Sequence, residues 1–261
     1  MVLFVITKKR TIMKKSFLLY LTTVTVLIAV NTSQAQKVTT VDTFEKVIVS
    51  PHIEVVLIEG NEESVKIENA KVSEDKINIE VEGKTLRVYL DGAKTVTKSE
   101  KVDNDKWKGK RSIYDGTMVR ATITYQKLKN LSIRGEEIVK CESPMDQKDL
   151  KLTIYGESKV YFKSITAAEL TVAIYGESYL EIEGGSVDRQ VYRAYGESEV
   201  NTFEMENTAT KITAYGESNF RVNVSDRLKV TCYGETTINY KGDANVDKGI
   251  VIGEAEIRKI G

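Results

Sequence analysis

The tetrapeptide Tyr155-Gly156-Glu157-Ser158 decides the fold, because it returns along the chain at a nearly constant spacing. The first four copies lie 20 residues apart, and the fifth, which ends in Thr, follows after 18. With a weaker copy on each side, Gly-Glu occurs seven times, at Gly135, Gly156, Gly176, Gly196, Gly216, Gly234 and Gly253. A fixed period near 20 residues is the sequence signature of a solenoid.

Each repeat alternates apolar and polar residues around its Gly. If Gly156 is position zero, the apolar residues Leu152, Ile154 and Val160 fall at −4, −2 and +4, and the other repeats are apolar at most of these positions. A period of two indicates strands with one buried face, and no run has helical periodicity. The sequence therefore predicts an all-β solenoid of short parallel strands with coils of about 20 residues.

The same alternation assigns directions to the residues of the tetrapeptide. Gly and the following Ser or Thr share the inward parity, which predicts a tight corner with a hydroxyl tucked inside. Tyr and Glu then point outward and form two ladders with a spacing of ~4.8 Å. The ladders consist of Tyr155, Tyr175, Tyr195, Tyr215 and Tyr233, and of Glu157, Glu177, Glu197, Glu217 and Glu235, with Glu136 and Glu254 beyond them. Glu137 alone puts a carboxylate at the inward position, so either that corner is open or the register slips there.

The start of the chain resembles a secretory signal peptide over residues 1–35. Met13-Lys14-Lys15 is a basic start, residues 17–30 are apolar, and Ser33-Gln34-Ala35 suits a cleavage site. Residues 1–12 are interpreted as an upstream start-codon artefact. The alternative is a membrane anchor, but the apolar stretch is short for a spanning helix. We therefore expect no transmembrane span in the mature chain.

Residues 36–130 form an N-terminal β region, and residues 131–261 form the solenoid repeats. Residues 47–57 mimic a repeat if Pro51 takes the place of Gly, which predicts a degenerate first coil. Residues 76–90 predict a hairpin around Glu82-Gly83-Lys84. Residues 93–117 are charged and are expected to be irregular, with Trp107 among basic residues.

Composition excludes some classes of function. The chain has 38 basic and 38 acidic residues, and removal of residues 1–35 leaves a net charge of −5, which argues against nucleic-acid binding. Cys141 and Cys232 lie about five coils apart, ~24 Å, so they cannot form a disulfide and are expected to be buried free thiols. No motif in the chain indicates a metal site or a cofactor.

The exported start, the opening at residues 44–57 and the Gly-centred coils resemble the putative auto-transporter adhesin, head GIN domain family. The resemblance covers the chain from Phe44 to its end. It implies a right-handed parallel β-helix in the periplasm or on the outer surface of a Gram-negative bacterium. It implies no enzymatic activity, and it supplies no catalytic residues.

Three surface features are candidate binding residues, and each has a structural alternative. The Tyr ladder is either a stack that stabilises neighbouring coils or an aromatic strip for sugar or peptide. The Glu ladder is either a solvated edge or a weak cation site, although one carboxylate per coil is sparse for Ca²⁺. Trp107 either covers part of the solenoid or belongs to a recognition loop.

The sequence therefore supports three hypotheses for function. The first is a non-enzymatic envelope protein that adheres to a glycan, or to an envelope or host surface protein, through the Tyr/Glu face. The second is a structural protein that self-assembles through its C-terminal coil, unless residues 93–117 fold back to cover that coil. The third is a polysaccharide-active enzyme, which is disfavoured because the carboxylates are repeated rather than concentrated around an acid/base pair.

Overall fold

The computed structural model describes residues 37–104 and 107–261, so the predicted signal peptide lies outside the described residues. These residues form strands and one short 3₁₀ turn, Glu74–Lys76. None of their helical structure is long and apolar enough to cross a membrane. The strands are β1 (Lys37–Thr40), β2 (Lys46–Val49), β3 (Ile53–Glu59), β4 (Ser64–Ala70), β5 (Ile77–Glu82), β6 (Thr85–Leu90), β7 (Ser99–Asn104), β8 (Trp107–Ser112), β9 (Val119–Tyr125), β10 (Asn130–Gly135), β11 (Ile138–Cys141), β12 (Met145–Gly156), β13 (Lys159–Phe162), β14 (Ile165–Gly176), β15 (Tyr179–Ile182), β16 (Gly185–Tyr195), β17 (Ser198–Lys241) and β18 (Asn245–Lys259).

The predicted parallel β-solenoid is confirmed, with about six turns. Before the corner, β6, β2, β10, β12, β14 and β16 pair in that order, and after it β9, β3, β11, β13 and β15 do the same. The long strand β17 continues both ladders and pairs in parallel with β18. Gly135 lies opposite Gly156, and Gly156 lies opposite Gly176, so the glycines align as predicted.

The glycine corners leave no room for a side chain. Gly156 and Gly176 have φ of 100° and 123°, a region that L side chains rarely adopt. A Cβ on Gly176 would overlap the carbonyl oxygen of Gly156, one coil away. The inward hydroxyls then tie the coils together, because Ser158 donates to the Gly135 carbonyl and Ser178 to the Gly156 carbonyl, each at 2.9 Å.

The direction of the side chains follows the predicted parity. Residues two before the Gly are buried in every repeat up to Gly234, whereas Val251, two before Gly253, is 38% exposed. The Glu that follows each Gly is exposed. The buried set includes Ile154, Ile174, Ala194, Ala214 and Cys232. The strands before the corner continue through a break in the alternation, since Lys148 and Asp149 are neighbours within β12 and both are exposed. Such a break in the period of two gives the sequence the pattern of a loop.

The front of the solenoid is built from residues 37–125. Val49 lies opposite Ile133 and Val55 lies opposite Val139, which places Pro51 at the Gly position and confirms the degenerate first coil. The β5–β6 hairpin is also confirmed. Antiparallel strands cover this end, since β5 pairs with β6, β4 with β9, and β1 with β4.

The expectation that residues 93–117 are irregular is wrong. Strands β7 and β8 form an antiparallel hairpin that is separate from the main sheet. Charged residues on both faces of this hairpin hide any period of two, whereas cross-strand pairs such as Glu100 with Arg111, at 2.7 Å, help to hold it together. The segment is fixed to the front corner through His52, which contradicts the alternative that residues 93–117 fold back over the C-terminal coil.

The last coil departs from the repeat. A register shift between Val230 and Cys232 places Lys248, and not Gly249, opposite Val230. Such a bulge inserts an extra residue into one strand, so the strict alternation of the earlier coils does not continue through the start of β18. Within the described residues, β18 pairs with β17 along one edge, and nothing pairs with its other edge.

The corner geometry predicts that Gly176→Ala destabilises the protein more than a comparable change elsewhere. The backbone strain alone costs about 1–3 kcal/mol, and the overlap with the Gly156 carbonyl adds to it. Gly83→Ala is the control, because Gly83 also has a positive φ but no atom lies within 4 Å of its added Cβ. Urea denaturation of both variants measures the difference, and equal losses of stability would contradict the steric explanation.

Candidate functional site

The five tyrosines form one continuous stack along the corner. Strand pairing sets Tyr155, Tyr175, Tyr195 and Tyr215 opposite one another in turn. Neighbouring ring centroids, as far as Tyr233, are 4.8–4.9 Å apart, with interplanar angles of 0–10°. The spacing matches the distance between adjacent strands, ~4.8 Å, so the backbone ladder sets the ring positions.

Stacking decides which part of each ring a ligand can reach. Because each ring covers the face of the next, the ladder presents ring edges and hydroxyls to solvent, and the rings do not form a flat platform. Tyr175 and Tyr215 are 39% and 38% exposed. The Arg134 guanidinium lies 4.4 Å from the Tyr155 ring centroid and covers the front face of the stack.

The glutamates form a second column on the other side of the corner. Glu157, Glu177, Glu197, Glu217 and Glu235 are all exposed. They take part in no ion pair of 4.0 Å or less within the described part of the chain. Residues 37–104 and 107–261 contain no group of three or more His, Cys, Asp or Glu side chains that could hold a metal ion. The structure therefore brings the Tyr and Glu columns together along one corner.

Trp107 lies away from this corner. It is the first residue of β8 and pairs with Asn104 at the end of the hairpin. The base of the hairpin contacts the front corner, where Thr97 and the Gly116 carbonyl bind His52. Trp107 therefore belongs to a different sheet from the ladders.

Glu137 is the exception among the corners. Its side chain is 7% exposed, and Val139 stays opposite Val160, so the register does not slip. In the next coil the Glu157 N–H donates to the Gly135 carbonyl, but the Glu136 N–H donates to Glu137 Oε2 at 3.0 Å. Burial raises the pKa of the Glu137 carboxyl, although backbone donors and His52, with Nδ1 3.8 Å from Oε1, oppose that shift.

The single histidine is fully engaged in hydrogen bonds. His52 Nδ1 donates to the Gly116 carbonyl at 2.8 Å, because a carbonyl oxygen can only accept. Nε2 then accepts from the Thr97 hydroxyl at 2.7 Å. His52 therefore fixes the hairpin segment to the corner and has no unbonded ring nitrogen.

Both cysteines are buried and free, as predicted. Burial raises the pKa of the Cys141 thiol, which lies 3.6 Å from the Tyr125 hydroxyl. Cys232 lies 3.2 Å from the Thr236 hydroxyl inside its corner. A buried thiol that stays protonated is a poor nucleophile, so Cys141 acts as a core residue.

An open groove of about 550 Å³, which was not predicted from the sequence, lies beside the tyrosine ladder. It lies on the outer face of the strands that lead to the corner and includes the edges of Tyr155 and Tyr175. Its other lining residues include Lys151, Thr153, Thr171, Ala173 and Arg193. These residues occupy outward positions −5 and −3 of successive repeats, so a comparison of the outward columns from coil to coil could have found the groove.

Stacked parallel coils with an aromatic ladder at one corner define the protein as a parallel β-solenoid. It belongs to the family described as putative auto-transporter adhesin, head GIN domain, whose model matches residues 43–244. The resemblance seen in the sequence is therefore confirmed. No curated protein matches the chain.

Three solved structures have a similar fold. A putative adhesin from Bacteroides fragilis NCTC 9343 superposes with a TM-score of 0.72 and 20% identity, covering 86% of this chain and 96% of its own. A putative lipid binding protein from Parabacteroides distasonis ATCC 8503 has a TM-score of 0.62 and 19% identity, over 88% of this chain and 98% of its own. A putative adhesin from Parabacteroides merdae ATCC 43184 has a TM-score of 0.58 and 19% identity, over the same shares of the two chains. At these identities the likeness shows the fold alone.

The raised pKa of Glu137 predicts that Glu137→Gln stabilises the protein more as pH rises. A folded-state pKa above the ordinary value of ~4.3 favours the protonated form, so the charge destabilises the fold as pH rises through that value toward the raised one. Gln cannot ionise and keeps an oxygen that can accept the Glu136 N–H. Thermal unfolding at pH 4, 5.5 and 7 should show a melting-temperature gain that grows with pH.

The control for this prediction is Glu157→Gln, since Glu157 is exposed in the next coil. Its effect should depend less on pH. A gain at Glu137 that stays constant or shrinks between pH 4 and pH 7 would mean that the backbone donors outweigh burial.

Proposed function

We propose that the protein is an exported, non-enzymatic binding protein of the cell envelope that adheres to its ligand through the tyrosine ladder and the adjoining Glu column. The apolar, basic start of the chain and the adhesin-like family support export to the periplasm or the outer surface of a Gram-negative bacterium. The ligand classes that suit such a protein are a glycan and an envelope or host surface protein.

The observation that carries this proposal is the regular spacing of identical groups along the corner. Ring centroids repeat every 4.8–4.9 Å, so phenol hydroxyls and apolar ring edges form one straight row. Each hydroxyl can both donate and accept a hydrogen bond. A row of equal groups suits an extended ligand that repeats along its length better than it suits one small substrate.

The site geometry gives less support to polysaccharide cleavage. That chemistry uses a localised acid and base, with the pKa of the acid tuned by its surroundings. Here the Glu column is exposed and evenly spaced, and His52 uses both ring nitrogens in structural hydrogen bonds. We therefore assign the protein to the class of binding proteins.

The proposal predicts that the triple change Tyr175→Phe, Tyr195→Phe and Tyr215→Phe weakens ligand binding without loss of the stack. Phe keeps the rings and removes three hydroxyls, each worth about 0.5–1.5 kcal/mol when hydrogen-bonded, so affinity should fall roughly tenfold or more. A glycan array and an array of surface proteins identify the ligand, and titration of the best ligand measures the change.

Tyr161→Phe is the matched control, because Tyr161 lies in β13, on the face beyond the corner. Its affinity should equal that of the unmodified protein. Unchanged binding in the triple variant would show that the ladder hydroxyls are not the binding surface. If neither array yields a ligand, the binding function itself is contradicted.

Self-assembly through the C-terminal coil is a second candidate, favoured by the apolar edge of β18. Ile250 and Ile252 are 58% and 63% exposed, and Val251, at an inward position, is 38% exposed. An exposed strand edge with apolar side chains is a template for pairing with another chain. At the front end, antiparallel strands of the same chain pair with the coil strands.

This second candidate predicts that Ile252→Lys abolishes concentration-dependent association. A charge on the edge strand opposes pairing and removes apolar contact area. Sedimentation velocity over a range of concentrations measures the change, with Val38→Lys as the control, since Val38 is 57% exposed on β1 at the other end. A particle that is monomeric at high concentration before any substitution would contradict self-assembly.

A further inference from the structure

We propose that the ligand of the tyrosine face is an acidic polysaccharide, whose carboxylate or sulfate groups bind Lys151 and Arg193 in the groove beside Tyr155 and Tyr175. This inference rests on the proposed function and adds to it the chemical class of the ligand. It also places the ligand on one side of the corner, over the strands that lead to the glycines.

The groove carries positive charge that the protein itself does not neutralise. Lys151 and Arg193 are exposed, and neither forms an ion pair within the described residues. Other basic residues in and around the groove are paired, since Lys129 binds Glu45 at 2.8 Å and Arg189 binds Glu169 at 3.3 Å. These two side chains are therefore available to bind the anionic groups of a ligand.

The acidic residues that line the groove do not cancel this charge. Glu169 is engaged twice, because it also accepts a hydrogen bond from the Thr171 hydroxyl at 3.1 Å. Asp149 is the remaining carboxylate, and it precedes Lys151 on β12, on the side away from the tyrosines. The part of the groove next to Tyr155 and Tyr175 therefore has an excess of positive charge.

The shape of the groove suits a polymer better than a small ligand. It is open and crosses several coils. The small side chain of Ala173 forms the bottom of the groove between the tyrosine edges and Lys151. Arg193 lies two coils beyond Lys151, so the two cations are separated by ~10 Å along the solenoid. Arginine binds a carboxylate or sulfate through two parallel hydrogen bonds, while lysine acts as a point charge. Two separated cations match a chain that carries an acid group on successive units.

The Glu column restricts such a ligand to one side of the corner. Glu157 and Glu177 are exposed across the corner from Tyr155 and Tyr175, and they repel an anionic polymer. Removal of one of these charges should therefore not weaken the binding of an acidic polymer. For an acidic polymer the Glu column therefore borders the site, so this inference narrows the Tyr/Glu face of the proposed function to its tyrosine side.

The test measures binding to immobilised polygalacturonate, an acidic polysaccharide, and to dextran, a neutral one. We expect the unmodified protein to bind polygalacturonate, with affinity that falls as NaCl rises, and to bind dextran weakly. The double variant Lys151→Gln and Arg193→Gln should bind polygalacturonate roughly tenfold less tightly, because two charged hydrogen-bonding groups are lost. Circular dichroism confirms that each variant is folded.

The matched control removes the same charge from the face beyond the corner. The double variant Lys140→Gln and Lys159→Gln changes two exposed lysines on β11 and β13, which follow the glycine corner and lie outside the groove. This variant should keep the affinity for polygalacturonate. If the control weakens binding as much as the groove variant does, net charge explains the attraction and the inference is overturned.

The remaining outcomes separate this inference from the proposed function. One outcome is that dextran and polygalacturonate bind equally well and that only the tyrosine-to-phenylalanine changes weaken this binding. That outcome would contradict an acidic ligand but would agree with the proposed adhesive function. Binding to vesicles with anionic lipids but to neither polysaccharide would also overturn the inference, in favour of a membrane surface. If no polysaccharide, vesicle or surface protein binds, both proposals are contradicted.

Discussion

Close approach of the backbone at the glycine corners is the constraint on which the rest of the structure depends. From Gly156 onward, each corner Gly packs against the carbonyl oxygen of the corresponding Gly in the preceding coil, for example Gly176 against Gly156. A Cβ would push the coils apart at this point and break the hydrogen bonds of the neighbouring strands. Because the corners stack without offset, every other column of the solenoid also aligns, and a side chain repeated in the sequence becomes a straight row in space.

Alignment converts a repeated tyrosine into a stack and a repeated glutamate into a row of exposed charge. The stack stabilises the coils through ring contacts at 4.8–4.9 Å, and the same contacts cover the ring faces. Stacking of the rings therefore limits ligand contact to the edges and hydroxyls of the tyrosines. The corner separates this surface into a side with the groove cations Lys151 and Arg193 and a side with the Glu column.

Departures from the repeat occur where the solenoid meets something other than an identical coil. At the front, Pro51 replaces Gly, and Glu137 supplies the acceptor for the Glu136 N–H inside the first repeat. His52 then joins that corner to the β7–β8 segment through Gly116 and Thr97. At the other end, a bulge at the start of β18 ends the strict register. Residues that depart from the repeat thus occupy both ends of the solenoid, where a coil has no identical neighbour on one side.

The sequence by itself determined the coil period, the inward and outward columns, the corner position of each Gly and the degenerate coil around Pro51, because all of these follow from local alternation and spacing. Gly135 to Gly253 could be aligned by counting, and the buried free state of Cys141 and Cys232 followed from the same count. Tertiary structure alone decided the ring orientation of the tyrosines, the hairpin at residues 99–112 and the groove between Lys151 and Arg193. These features depend on contacts between residues in different coils or between charged strands, and such contacts leave no period in the sequence. Glu137 illustrates the difference. The sequence showed a carboxylate at an inward position, whereas only the folded corner shows that the Glu136 N–H donates a hydrogen bond to this buried side chain.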